Sequence, residues 1–432
     1  MTDFMQQMVD QAVAPVWLQD WQRQGRSCWQ AAALPTRKTE AWRFTSIEAL
    51  KQPFAPALPD YGNADVSAIT CPDLGGARLV FVNGQHRPDL STAALPDGLS
   101  LVRFADANER QAEQIRQSLG SAVNHEQHLF AALNDAALAD GVFLQVAENV
   151  SLKQPVQLVW LTTAQPQAFA VMQRLLVSME ANSSATLVEH FAGDCAETAV
   201  FTNGITELLL ARGAQLRHHR LHLEQGMAMH VGGVHARLSQ GSNLESFHLA
   251  VGSELKRIDI VVDHQGEGAY CQLNGIYLVN NQDHVDYHTC LEHSVPHGTS
   301  SETFRGIVGD QASAVFNGRI HIHPHAQKTR AELRNNNLLT SNRAVINTKP
   351  ELEIYADDVQ CAHGATVAQL DPTILHYMRT RGISRAEAEV MMSYGFINEL
   401  IRGLSCEPLR EYLEPLLAQR LTPNSTLTRH IA

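Results

Sequence analysis

Residues 214–223 read AQLRHHRLHL, a short β-rich segment that opens with a small residue, a spacer and a larger apolar residue. The same opening recurs at Ala185-Thr186-Leu187, Ser242-Asn243-Leu244 and Ala269-Tyr270-Cys271, so that these four copies lie 29, 28 and 27 positions apart; a fifth copy is Ser313-Ala314-Val315. A period in this range predicts a β-solenoid, in which stacked coils bury the inward face that no single coil can bury. The alternative for this pattern is a large β-sandwich of hairpins.

The β-rich character extends over residues 141–370. Strand-like segments of four to eight residues follow one another there, and no convincing helical pattern interrupts them. The missing alternation of strands and helices excludes a doubly wound α/β fold. The clearest segments are Val142–Val146, Val156–Leu161, Leu175–Met179, Leu216–Leu223, Ile258–Val262 and Ala314–Ile322.

Helical periodicity marks both flanks of this body. Residues 1–140 are expected to form a mainly helical N-terminal region, and residues 371–432 a helical C-terminal region. In the latter, Asp371 is a suitable N-cap before Pro372, and Ser384 with Glu387 three residues later has the capping-box pattern. The apolar positions of the second helix are spaced to form one stripe. They are Val390, Tyr394, Ile397, Ile401 and Leu404.

Composition excludes several classes of protein. The net charge of −12 argues against nucleic-acid binding and against docking on anionic membranes, since both require clustered cations. No apolar run is long enough to span a bilayer, and the first residues do not resemble a signal peptide, so a cytoplasmic location is expected. The seven scattered cysteines include no CxxC pair, which indicates neither a disulfide framework nor a zinc ribbon.

No local motif indicates an enzyme. The sequence contains no P-loop, no GxSxG, no HExxH and no GxGxxG after a strand, so a non-enzymatic protein is expected. A carbohydrate-active β-helix enzyme is a weaker alternative. Such enzymes need aromatic sugar platforms or clustered aspartates, and only 6% of this chain is aromatic.

The sequence His321-Ile322-His323-Pro324-His325 is a candidate metal site. Residues two apart on a strand share a face, and several imidazoles on one face can bind a transition metal. A single-chain metalloenzyme using these histidines is therefore one alternative. The other is a solvated strand face beside a proline turn, which the lack of a carboxylate nearby in the sequence favours.

A second candidate is Cys361-Ala362-His363, which places a thiol and an imidazole two residues apart. This pair could present both groups to one iron or zinc ion. One cysteine and one histidine cannot complete a four-coordinate site, however. Any real site must take further ligands from elsewhere in the chain or from a second chain.

The region around these residues resembles the SufB/SufD family. The stretch KPELEIYADDVQCAHGATV at residues 349–367 is similar to the hallmark of that family, and NNNLL at residues 335–339 fits the same block. Near the N-terminus, LPTRKTEAWRFT at residues 34–45 resembles a motif of the SufD branch that the SufB branch does not carry there. One departure is Ala368, where a glycine is expected.

The resemblance implies a mostly β fold, a right-handed parallel β-helix flanked by helical N-terminal and C-terminal regions. It further implies a non-enzymatic scaffold for iron–sulfur cluster assembly. Such a chain forms a heterodimer with SufB through the β-helices, with residues 330–367 expected at the contact. It binds the SufC ATPase through the C-terminal helices, which assigns partner binding to Val390, Tyr394, Ile397 and Ile401.

The resemblance also implies a site for the nascent cluster at the interface with SufB. A cysteine of SufB and a histidine of the SufD-type chain are the expected ligands, and that histidine corresponds to His363, beside Cys361. The cluster is then transient and shared, and no cofactor is expected to be tightly bound by the isolated chain. Alone, the chain is expected to pair with a second copy through the same surface.

Overall fold

The N-terminal part of the chain alternates helices with short strands. The computed structural model describes residues 2–125, 127–195 and 197–421. The first four helices are α1 (Asp3–Gln11), α2 (Gln19–Ala31), α3 (Glu109–Ser118) and α4 (Leu129–Ala136). The first four strands are β1 (Ala55–Pro56), β2 (Arg78–Val82), β3 (Gln85–His86) and β4 (Leu99–Arg103).

A long series of strands follows without an intervening α-helix. In order these are β5 (Val142–Val146), β6 (Val156–Thr162), β7 (Phe169–Met179), β8 (Ser184–Gly193), β9 (Val200–Leu210), β10 (Gln215–His222), β11 (Ala228–Leu238), β12 (Asn243–Val251), β13 (Leu255–His264), β14 (Tyr270–Val279), β15 (His284–His293), β16 (Thr299–Val308), β17 (Ser313–Ile322), β18 (Arg330–Leu339), β19 (Val345–Ile354) and β20 (Gln360–Gln369).

These strands build a parallel solenoid of two sheets. The odd-numbered strands from β5 to β19 form sheet A, and the even-numbered strands from β6 to β20 form sheet B. Each coil contributes one strand to each sheet, which gives about eight turns, with 40% of the chain in strands and 25% in helices. The predicted mostly β fold, a parallel β-helix with helices at both ends, is confirmed, and the hairpin sandwich is excluded.

The repeat read from the sequence is correct in its middle copies only. Leu216 pairs with Leu244, and Leu244 with Cys271, as the spacing predicted. The first copy is displaced, because Leu216 pairs with Ala185 and not with Leu187. The fifth copy, which begins at Ser313, lies in sheet A instead of sheet B. Turns of unequal length between strands cause both differences, since they change the period without changing the stacking.

The main hydrophobic core fills the lumen between the two sheets. Because alternate side chains of a strand point to opposite faces, each strand supplies every second residue to this core. Leu216, Leu244, Leu273, Phe304 and Leu333 form one such column from successive strands of sheet B, and all are buried. Stacking therefore buries continuous apolar area that a single coil would expose.

The N-terminal elements cover the outer face of sheet A over its early coils. Phe4, Met5 and Trp29 pack there against Phe201 and Met229. The segment 1–140 also extends both sheets, because β2 pairs in parallel with β6 and β4 pairs antiparallel with β5.

The C-terminal region contains three helices, which are α5 (Pro372–Thr380), α6 (Arg385–Arg402) and α7 (Glu407–Leu421). Both predicted starts are confirmed: Asp371 Oδ1 accepts a hydrogen bond from Thr373 N at 2.8 Å, and Ser384 forms a capping box with Glu387. Helices α6 and α7 pack on the outer face of sheet B. Residues 422–432 of the predicted C-terminal region lie outside the described residues. Among the described helices, none combines the length and apolarity needed to cross a bilayer.

Candidate functional site

Cys361 and His363 lie on β20, the last described strand of sheet B. In the pairing of β20 with β18, Cys361 aligns with Ala331 and His363 with Leu333. Ala331 and Leu333 belong to the lumen core. The two candidate residues therefore share the lumen-facing side of β20, as their spacing predicted, at the end of the solenoid.

Their environments differ because few described residues lie beyond this strand. Cys361 is half-buried and packs against the lumen core, whereas His363 is exposed. Burial raises the pKa of the Cys361 thiol, and a backbone hydrogen bond from Ala331 opposes that shift. The isolated chain thus presents an accessible imidazole beside a thiol that burial disfavours as a thiolate.

The edge of β20 is free in the described part of the chain. Gln360 N donates to Thr329 O of the preceding coil. Because backbone groups alternate in direction along a parallel strand, the N–H groups of Cys361, His363, Ala365 and Val367 point to the open side. A row of unpaired groups of this kind is a template for strand addition by another chain.

Apolar side chains accompany this free edge. Val345 and Ile354 at the two ends of β19, Tyr355 beyond it and Val367 on β20 are all exposed. Exposed apolar area beside an open edge has the character of a protein interface.

A polar network lies directly beneath the last coil and was not foreseen from the sequence. Asn335 Nδ2 donates to Tyr277 Oη at 3.1 Å, and Asn337 Nδ2 donates to Asn335 Oδ1 at 2.6 Å. Thr348 Oγ1 donates to Asn335 Oδ1 at 2.8 Å. A signal was present, since asparagines two apart occupy lumen-facing positions where other coils carry apolar residues.

The assignment of partner binding to the α6 stripe requires correction. Ile397 and Ile401 are 0% exposed and pack against the outer face of sheet B, and Val390 is also buried. Tyr394 is partly buried against the same cluster. An apolar stripe on a helix is satisfied first by the chain's own sheet. Val390, Ile397 and Ile401 are therefore core residues of the folded chain.

A different apolar group is exposed on the C-terminal helices. Ile374 and Tyr377 of α5 are 46% and 57% exposed, and Met391 of α6 is 37% exposed. The Arg381 guanidinium lies over the Tyr377 ring, 5.2 Å from its centroid.

The three histidines at 321–325 do not act as one group. His321 and His323 lie together, with ring centroids 4.3 Å apart, whereas His325 is exposed and outside their cluster. The expectation of no carboxylate nearby is wrong, because Glu292 of β15 contacts both rings. Glu292 precedes His321 by one coil, so no local motif could reveal it.

Comparison with known proteins gives matches over most of the chain. Residues 161–396 match the family described as SUF system FeS cluster assembly, SufBD core domain, and residues 3–158 match the SufBD protein N-terminal region. The iron–sulfur cluster assembly protein SufD of Escherichia coli is 31% identical over 90% of this chain and 89% of its own. An iron–sulfur cluster assembly SufBD family protein of Synechocystis is 30% identical over 90% of this chain and 87% of its own. Bacillus subtilis SufD is 25% identical over 97% of both.

Proposed function

The chain belongs to the SufBD family of iron–sulfur cluster assembly proteins, and from this membership we propose that it is a SufD-type, non-enzymatic scaffold subunit working with SufB and SufC in the cytosol. The nascent cluster is its cargo and not a resident cofactor. The observation that carries the proposal is the exposed His363 beside half-buried Cys361 on a terminal strand with a free edge.

Pairing with SufB takes place through the last coil. The unpaired backbone groups of β20 offer main-chain hydrogen bonds, and the exposed Val345, Tyr355 and Val367 offer apolar area. Pairing at this end also resolves the ligand count. A cysteine from SufB joins His363, so that neither chain alone has to supply a full set.

The chemistry of His363 suits a scaffold that must release its product. Imidazole binds iron, and it is a weaker cluster ligand than thiolate. Cys361 has a pKa raised by burial, so its thiolate forms at a cost unless a metal displaces the proton. His363 is thus the primary ligand of this chain, with Cys361 as a supporting one.

SufC binds to the exposed side of the C-terminal helices. The buried stripe of α6 is replaced in this role by Ile374, Tyr377 and Met391, which are exposed and apolar. Movement of a bound ATPase has a direct route to the β-helix. Arg305 of β16 donates through Nη1 to Phe396 O of α6 at 2.6 Å and forms an ion pair with Glu399.

The test is assembly of clusters by the complete complex. The chain is co-expressed with SufB and SufC, purified anaerobically and assayed for iron and sulfide per complex. The variant His363→Ala is expected to leave the complex intact and to lower cluster formation at least tenfold. His325→Ala, which changes another exposed histidine of the same β-helix, serves as the matched control. Normal cluster formation by His363→Ala would remove this residue from the mechanism, and failure to co-purify with SufB and SufC would contradict the proposed partners.

A further inference from the structure

The outer face of sheet A carries a row of polar side chains over its late coils. In the strand register, Glu292 of β15 aligns with His321 of β17, and His321 with Glu353 of β19. His323 follows immediately after β17. The N-terminal helices do not contribute to this row, whose groups are partly exposed: the Glu292 and His321 side chains to 20% and the His323 side chain to 40%.

Three of these groups converge on a small volume. His321 Nδ1 lies 2.8 Å from Glu292 Oε2, and His323 Nε2 lies 2.9 Å from the same oxygen. The three ligand atoms all lie within 4.8 Å of one another. Two ligands that are each about 2.1 Å from an ion and at right angles to one another are about 3 Å apart. The observed separations therefore match those of neighbouring ligands on one ion.

The carboxylate is held in a fixed orientation by its other oxygen. Glu292 Oε1 lies 3.2 Å from Arg319 Nη2 and 3.3 Å from Cys290 Sγ, which leaves Oε2 directed at the imidazoles. Supporting contacts of this kind orient a ligand before an ion arrives and raise its affinity. They also occupy Oε1, so that the carboxylate binds through one oxygen.

The type of ion follows from the ligand set. Two imidazoles with one carboxylate suit divalent first-row transition metals, and they disfavour Ca²⁺ and Mg²⁺, which prefer sets of oxygen ligands. Three protein ligands on one side leave the remaining coordination positions open to water or to a further ligand.

A second cluster in the described residues is less suited to a metal. His222, Glu224 and His230 also lie close together, but all three are buried. Lys256 Nζ lies 3.9 Å from Glu224 Oε2, and His222 stacks on Phe191 with centroids 5.0 Å apart. A neighbouring ammonium group and the lack of an open path both oppose entry of a cation.

We propose that Glu292, His321 and His323 bind one divalent first-row transition-metal ion, such as Zn²⁺ or Fe²⁺, on the outer face of sheet A. The site is separate from His363, which lies in sheet B, and does not depend on the proposed partners. It belongs to this chain alone.

The test uses the purified full chain after removal of bound metal with a chelator. Calorimetric titration with Zn²⁺ and, anaerobically, with Fe²⁺ is expected to give one equivalent bound per chain. Co²⁺ serves as a spectroscopic probe, because its visible absorption reports imidazole coordination. Glu292→Gln, which preserves size, and the double variant His321→Ala/His323→Ala are each expected to lower affinity at least tenfold.

The controls separate this site from others. His325→Ala changes the adjacent exposed histidine and is expected to bind metal as the unchanged chain does, as is His363→Ala. Circular dichroism and thermal unfolding establish that the variants are folded, and Glu292→Gln keeps the test valid if the double variant is not. Absence of a stoichiometric ion, or affinity unchanged in both Glu292→Gln and the double variant, would overturn the proposal.

Discussion

At the scale of single residues, the lumen of the solenoid contains charged groups whose partners decide their ionisation. Glu189 accepts hydrogen bonds from His218 Nε2 at 2.9 Å and from Thr206 Oγ1 at 2.8 Å, and its pKa is lowered because the charge of Arg220 outweighs burial. Glu302 has one hydrogen-bond partner, Thr289 Oγ1 at 2.6 Å. Burial therefore raises the pKa of Glu302 to about 8.

Replacing Glu302 by Gln is expected to stabilise the protein increasingly as pH rises. The unfolded chain ionises this group near its ordinary pKa of 4.5, whereas the folded chain keeps it protonated until about pH 8. Stability supplied by the protonated form is thus lost as pH rises from 4.5 to 8. From pH 6 to pH 8.5 the variant should gain about 2–3 kcal/mol relative to the unchanged chain.

Urea unfolding at the two pH values measures this difference. Glu267→Gln alters an exposed carboxylate and is the control, for which no such gain is expected. A constant difference between Glu302→Gln and the unchanged chain over this range would mean that Glu302 ionises normally in the fold.

At the scale of elements, α6 is a core helix on one side and an accessible one on the other. Its buried side holds Ile397 and Ile401 against sheet B, and its exposed side holds Met391. The two sides therefore separate stability from partner binding.

Ile397→Ala is expected to lower the free energy of unfolding by about 2–5 kcal/mol, because it leaves a cavity against sheet B. Met391→Asp should change it by less than about 0.5 kcal/mol, since surface substitutions seldom alter stability, and should weaken SufC binding. Denaturant unfolding and pull-down with SufC measure the two effects. The proposed docking surface fails if Met391→Asp and Ile374→Asp both bind SufC normally.

The terminal strand β20 is the second element with separable roles. Its ladder to β18 uses the N–H groups of Gln360 and alternate residues, and its free edge uses those of the residues between. A proline at a free-edge position removes a donor from the interface without removing one from the ladder.

Isolated chains are expected to self-associate at tens of micromolar through this edge, as about 6–7 kcal/mol of binding free energy allows. Ala365→Pro should abolish that association with little change in melting temperature, because Ala365 N–H points to the free side. Thr366→Pro is the matched control, and it should lower the melting temperature by breaking a ladder bond. Sedimentation velocity decides the outcome, and a strictly monomeric unchanged chain would contradict the expectation.

At the scale of the whole molecule, buried histidines make the fold sensitive to acid. Burial lowers the pKa of His190 and His264 to about 4, that of His219 to about 3 and that of His293 to about 2. All four are neutral in the folded protein near pH 7. They lie in both sheets, so their effect is distributed along the solenoid.

The free energy of unfolding is expected to fall as pH decreases from 6.5 towards 4. In that range the unfolded chain takes up a proton at each histidine and the folded chain does not, so each contributes up to about 1.4 kcal/mol per pH unit. Glu302 acts in the opposite direction between pH 8 and 4.5 but is a single group. Urea unfolding at pH 7 and pH 5 tests this, and His293→Gln should reduce the slope. Equal stability at both pH values would contradict it.

The sequence by itself determined the features that depend on neighbours along the chain. Period, alternation and capping residues sufficed for the solenoid, for the starts of α5 and α6, and for the shared face of Cys361 and His363. These are local, because hydrogen bonding and side-chain direction repeat every few residues.

Only the tertiary structure decided which residues meet across coils and which face of a helix is covered. Glu292 reaches His321 through a register of 29 residues, a spacing that varies with every turn, and sheet B buries the Ile397 stripe that the sequence left open to a partner. The physical reason is that stacking joins residues about one coil apart, and turn lengths that no local rule constrains set that distance.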